Sequence, residues 1–152
     1  MIEGVTVKEL VGHGDDRQVF REVVRVSDPF FGEGFGQLSY ALMHPGTAKA
    51  WHIHEHQVDW WYVPTGALKL ALSDRRPDSP TFGQLDEFLL GPEYGHKVVR
   101  IPPGVAHGCR VLGGVTQLFY ITSRVYDPDD EGRIAHDDPE IGYDWTAMPD
   151  IK

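Results

Sequence analysis

The sequence predicts an all-β fold, a small barrel or double-stranded β-helix with few or no helices, on three observations. Seventeen Gly and eleven Pro are spread along 152 residues rather than clustered, as turns between many short strands require. Apolar residues alternate with polar ones in several runs, and no segment keeps a helical period over three turns. Two histidine-bearing stretches about fifty residues apart, one holding His52, His54 and His56 and the other His107, each lie beside a β-rich run. Strands carrying them would meet in a pocket.

The elements follow in order. Val5 to Leu10 alternates and reads as a strand, Gly12 to Asp16 as a turn, and Arg17 to Val26 as a second strand. Ser27 to Gly36 is a loop, and Gln37 to Met43 a third strand. The turn His44-Pro45-Gly46 leads into the histidine strand. There, side chains repeating with period two put His52 and His54 on one face. Trp60 to Val63 continues as an apolar aromatic strand up to a turn at Pro64-Thr65-Gly66. Leu68, Leu70 and Leu72 alternate within a half-buried strand from Ala67 to Ser73. After a loop from Asp74 to Gly83, short strands are expected at Phe88 to Leu90 and Lys97 to Ile101. Gly108 to Leu112 and Val115 to Ser123 flank Gly113-Gly114, which reads as a hairpin because both glycines can take positive φ. From Pro128 the chain turns acidic and irregular. A single domain spanning 1–152 is expected.

A formal net charge of -9 argues against nonspecific nucleic-acid binding, but a few local Arg or Lys groups suffice for an anionic small ligand. No apolar run approaches the ~20 residues of a membrane span, and the first residues lack a signal-peptide pattern. The one cysteine, Cys109, cannot form an internal disulfide. It reads as a small buried apolar residue, and together these features suggest a cytoplasmic location.

The spacing of Gly46, His52-x-His54, Asp59 and Gly66 resembles the first cupin motif, with Asp where Glu is usual, and Pro102-x-Gly104-x-x-His107 resembles the second. Val111 stands where that motif usually ends in Asn. The resemblance implies a cupin jelly-roll barrel. It also implies a divalent metal (Zn, Fe, Mn or Ni) on His52, His54, Asp59 and His107, because imidazole with carboxylate suits these ions. Asp59, one methylene short of Glu, is the weakest member. His56 reads as a solvent residue.

A second resemblance covers nearly the whole chain. Asp74-x-Arg76, Ser79-Pro80-Thr81-Phe82-Gly83, Ile101 to Gly108, Tyr120 to Pro128, and Asp138-Pro139-x-Ile141-Gly142-x-x-Trp145 follow one another in order. So arranged, the sequence resembles the dTDP-4-dehydrorhamnose 3,5-epimerase family, a cupin-fold group acting on nucleotide-linked 4-keto sugars. Asp16-Arg17-x-x-Phe20-x-Glu22 resembles that family's nucleotide-holding stretch. The resemblance implies proton abstraction α to a ketone. His52 is the base, Asp138 orients it and Tyr126 is the acid on the opposite face. Arg17, Phe20, Glu22, Lys49, Arg76 and His107 bind substrate, no cofactor is required, and a homodimer forms. A carboxylate on one ring nitrogen fixes the tautomer and raises the basicity of the other. A phenol can return a proton where water is excluded. Two departures stand out: the family has a Gln at the position of His54 and a Lys near that of Asp59.

Three readings remain open. The first is the nucleotide-sugar epimerase. The second is a metal-dependent cupin isomerase, lyase or dioxygenase acting on a small oxygenated substrate. The third is a noncatalytic sugar-binding or regulatory cupin. The first two exclude each other at His52, which cannot be both free base and ligand. The order of the blocks beyond the metal motif favours the first.

Overall fold

The structure, a computed structural model, describes residues 1–148. Its strands are β1 (Thr6–Glu9), β2 (His13–Gly14), β3 (Val19–Phe20), β4 (Gln37–Met43), β5 (Ala48–Ile53), β6 (Asp59–Thr65), β7 (Leu68–Asp74), β8 (Leu85–Leu90), β9 (Lys97–Ile101), β10 (Val105–Val111), β11 (Thr116–Thr122) and β12 (Gly132–Arg133). Among the described residues, helix is limited to three 3-10 turns, Pro29–Phe31, Pro92–Tyr94 and Pro128–Asp130. Each starts with Pro, whose fixed φ suits the first position and whose missing N–H needs no partner there.

Two five-stranded sheets, ordered β1-β9-β6-β11-β4 and β12-β5-β10-β7-β8, face each other, and every strand pair is antiparallel. This is the expected jelly roll. The main core draws on both sheets: Trp61, Val63 and Leu118 from one, Leu68, Leu70, Leu72, Cys109 and Val111 from the other. The three alternating leucines of β7 are fully buried, so truncating any one to Ala should cost ~2–5 kcal/mol. Burial pushes the Cys109 thiol up to about 11, in keeping with a packing role.

Two expectations need correction. Arg17 to Val26 does not form one strand. Only Val19–Phe20 pairs, with His13–Gly14. The rest of that run has no partner strand among the described residues, and Val26 is 86% exposed. Gly113-Gly114 is not a hairpin either. It joins β10 to β11, which lie in different sheets, and neither glycine has positive φ. The positive φ belongs to Gly66, at +96°, where an added Cβ would sit 2.6 Å from the Thr116 Cα. Strand β6 therefore runs through Pro64 to Thr65, two residues beyond its expected end at Val63.

Central to the second sheet is β10, paired with β5 on one side and β7 on the other. His107 stands directly opposite His52 across the first pairing, and the register shifts between His107 and Cys109. Gly108 lies in that bulge. A Cβ there would meet Trp145 at 2.6 Å and Ala50 at 2.8 Å, so the bulge depends on the missing side chain.

Candidate active site

A cavity of about 200 Å³ opens between the sheets, lined by Lys49, His52, His54, Asp59, Trp61, His107, Tyr126 and Glu131 among others. His52 enters from β5, His54 from just past its end and His107 from β10, with ring centroids 6.1 Å apart for His52 and His107 and 5.4 Å for His54 and His107.

The deep end is built around Asp59, which is 3% exposed. Its carboxylate accepts hydrogen bonds from Gln57 Nε2 at 2.8 Å and Trp61 Nε1 at 3.2 Å. His54 Nε2 lies 4.0 Å from one of its oxygens, and His107 Nε2 lies 3.8 Å from the other. His54 Nδ1 is 3.0 Å from the Asp130 carbonyl, and the Gln57 amide nitrogen is 3.4 Å from His54 Nε2. An amide NH₂ can only donate, so His54 carries its proton on Nδ1, and Nε2 turns a lone pair toward Asp59. Burial pushes His107 well below the usual imidazole value, with the Asp59 charge opposing it.

At the mouth, His52 has different neighbours. Its Nδ1 is 3.6 Å from Glu131 Oε1, and its Nε2 is 3.4 Å from Arg133 Nη1. Arg133 Nη2 in turn donates to Glu131 Oε1 at 3.1 Å. Burial lowers the His52 value, and the Arg133 charge lowers it further. Tyr126 stands on the rim, 61% exposed. The facing Glu131 carboxylate raises its phenol above the usual value.

These placements revise the sequence-derived roles. His54, Asp59 and His107 cluster with donor atoms within 4.8 Å of one another; His52 is not in the cluster. Of the four expected ligands, three share this cluster, while His52 faces Glu131. Asp138 forms no hydrogen bond or ion pair with His52 among the described residues. Its carboxylate accepts the backbone N–H groups of Glu140 at 2.9 Å and Ile141 at 3.4 Å, which caps a turn. Arg76 lines neither this cavity nor the cleft described next. Its guanidinium is held by Asp74 at 2.8 and 2.9 Å and by the Glu3 carbonyl at 2.6 Å. Arg17, Phe20 and Glu22 lie on an exposed arm outside both. Arg17 pairs with Asp15 at 2.6 Å and Glu22 with Arg25 at 2.6 Å. His56 is solvent-facing, as expected.

Glu131, Arg133, Asp130 and Gln57 were missed. Asp130 shapes the loop after β5 by accepting the N–H groups of Glu55, His56 and Gln57. The alternation Glu131-x-Arg133 was the available signal, hidden in a stretch that read as irregular. Beside His52 lies a second, open cleft of about 700 Å³, whose lining includes Lys49, Arg110, Arg133, His136 and Trp145. Its cations suit an anionic group.

A jelly-roll barrel holding an imidazole-rich pocket between its sheets defines a cupin. The chain belongs, more narrowly, to the dTDP-4-dehydrorhamnose 3,5-epimerase family, whose match spans residues 1–152, and it is thus an enzyme of the sugar-nucleotide epimerase class. It is 47% identical over 150 residues to a spore coat polysaccharide biosynthesis protein of Bacillus subtilis, covering 97% of this chain and 98% of that one. It is 39% identical over 151 residues to a probable low-salt glycan biosynthesis epimerase of Haloferax volcanii, covering 96% of each. Among solved structures, a dTDP sugar isomerase from Desulfovibrio desulfuricans matches with TM-score 0.89 at 28% identity, over 97% of this chain and 94% of that one. A Legionella pneumophila dTDP-6-deoxy-D-glucose-3,5-epimerase, solved with dTDP-4-keto-L-rhamnose, matches with TM-score 0.86 at 26% identity, over 99% and 83%.

Proposed function

We propose that the protein epimerises a dTDP-4-keto-6-deoxy sugar in the cavity between its sheets. The observation that carries this reading is that His52 and Tyr126 line one cavity in a chain of this family. Nε2 of His52 takes the proton α to the ketone, leaving an enolate on the carbonyl oxygen. Tyr126 returns a proton to carbon from the other face, inverting that centre. Burial keeps His52 neutral near pH 7, as a base must be, and the raised Tyr126 value keeps the phenol protonated until it donates. Lys49, lining both cavity and cleft, and His107 face the sugar. The diphosphate takes the cationic cleft. His52 then gives its proton to solvent and the Tyr126 phenolate takes one up, which restores both groups and carries solvent hydrogen to the inverted carbon.

Arg17, Phe20 and Glu22 reach the nucleotide only if the exposed arm extends to a second copy, which fits a homodimer. Leu38, Tyr40 and Leu42, each more than half exposed on the edge strand β4, offer an apolar face for one. None of the helices described is long and apolar enough to cross a membrane. With a nucleotide sugar as substrate, we place the protein in the cytoplasm.

A second reading concerns metal. Two imidazole nitrogens and a carboxylate within 4.8 Å of one another form a mixed N/O donor set suited to Zn, Fe, Mn or Ni. The His54 contact to a backbone carbonyl is the outer partner a ligating imidazole usually has. These residues fit a divalent ion, held by His54, Asp59 and His107, which would polarise a substrate oxygen. His52 would stay free, so metal and base no longer compete for it.

Proton NMR in deuterated water with dTDP-4-keto-6-deoxyglucose tests the main reading. Label entering at C3 or C5 is expected. Complete retention of both protons, with this sugar and its epimers, would refute it.

A further inference from the structure

We infer that Glu131, held by Arg133, is the positioning carboxylate of His52. The inference rests on His52 being the base. Three features point to it. Arginine is only a donor, so its approach to Nε2 at 3.4 Å marks that nitrogen as the acceptor. The ring proton therefore lies on Nδ1, which faces Glu131 Oε1 at 3.6 Å. Glu131 is itself fixed by Arg133 Nη2 at 3.1 Å. One guanidinium thus addresses both ends of the pair.

The arrangement is imposed by the backbone. Strand β12 pairs with β5 in the register Gly132 to Ile53 and Arg133 to His52. Glu131 leads directly into that strand, so the register delivers it beside the base. Gly132 permits the approach. A Cβ there would lie 2.8 Å from Ile53 Cγ2 and 3.0 Å from the Ile53 carbonyl oxygen. The Glu131 side chain is 21% exposed, a position where Gln is tolerated without disturbing the core. Asp138, the other candidate, already caps its own turn.

Nitrogen-15 NMR reads the His52 tautomer directly. In wild-type protein with ¹⁵N-labelled histidine, the two ring nitrogens of His52, assigned by loss in H52N, should show a protonated Nδ1 and a bare Nε2. In E131Q that preference should weaken into a mixture, while kcat for proton exchange falls roughly 10²-fold, the low end of what general-base chemistry contributes. KM should shift too, because losing the Glu131 charge frees Arg133, which lines the cationic cleft, so the tautomer rather than KM decides the assignment. E131D should recover part of the loss. A wild-type proton on Nε2, or a tautomer that shifts in D138N and not in E131Q, overturns the assignment. If no dTDP-4-keto sugar exchanges at all, the epimerase reading falls, yet the tautomer measurement still decides this assignment.

Discussion

Replacing Asp74 with Asn separates two roles for Arg76. The Asp74 carboxylate accepts from Arg76 Nε and Nη2 at 2.8 and 2.9 Å, from Ser79 Oγ at 2.6 Å and from Thr81 Oγ1 at 2.7 Å. Burial opposes its ionisation, but these donors outweigh burial and hold the carboxyl well below the usual range. Removing one partner of a buried pair costs ~3–5 kcal/mol. The Arg76 side chain is 28% exposed, so solvent screening argues for the lower end, and Asn keeps one acceptor. The expected loss is ~2–3 kcal/mol, or about 5–10 °C in melting temperature at ~2–4 °C per kcal/mol for a chain of this size. The pH dependence follows from the depressed folded value. The contribution is complete above the unfolded-state value of ~3.9 and is lost as pH falls through the folded one. Wild type and D74N should therefore differ at neutral pH and converge progressively below about pH 4. Urea unfolding across a pH series measures this, and titration with dTDP measures nucleotide affinity. A loss below ~1 kcal/mol at neutral pH, or a tenfold fall in dTDP affinity with stability intact, would refute the clamp and return Arg76 to the nucleotide.

Other expectations are shorter. H52N should reduce proton exchange by at least ~10², and Y126F should slow protonation of the enolate, so that solvent deuterium enters the substrate faster than epimer accumulates. The pH–rate profile should lose activity toward acid, with the limb below the ordinary imidazole value of ~6.5, because burial and Arg133 lower the His52 value and only the neutral ring accepts a proton. On the metal reading, elemental analysis should find close to one divalent ion per chain in wild type and in H52N but far less in D59N. An ion lost equally from H52N would restore the four-ligand set, and one absent from wild type after growth in metal-supplemented medium would eliminate it.

Strand alternation was legible in several strands bounded by turn residues, although β8 and β10 each begin three residues before the expected start. Gln37–Met43 and Lys97–Ile101 were read to the residue. Arg17 to Val26 was misread because alternation does not reveal whether a partner strand exists. Gly113-Gly114 was misread because the residues that close a hairpin also serve a crossover between sheets. The gathering of His52, His54, Asp59 and His107 around one cavity was legible through spacing, since period two decides which side chains share a face. Their division into a buried cluster and a separate His52 was not. It depends on Glu131 and Arg133, about eighty residues further along the chain, and pairing of a two-residue strand leaves no periodicity to detect.

That short strand has a further consequence, for how the protein keeps itself apart from other chains. Strand β12 forms the outer edge of its sheet, with β5 next inward. Without β12, the Trp51–Ile53 stretch would present unpaired N–H and C=O groups to solvent, the template on which foreign strands add. Two residues, one of them a charged arginine, close that edge. G132P would remove a donor and crowd Ile53, and it should show itself first as concentration-dependent aggregation at temperatures where the barrel is still folded.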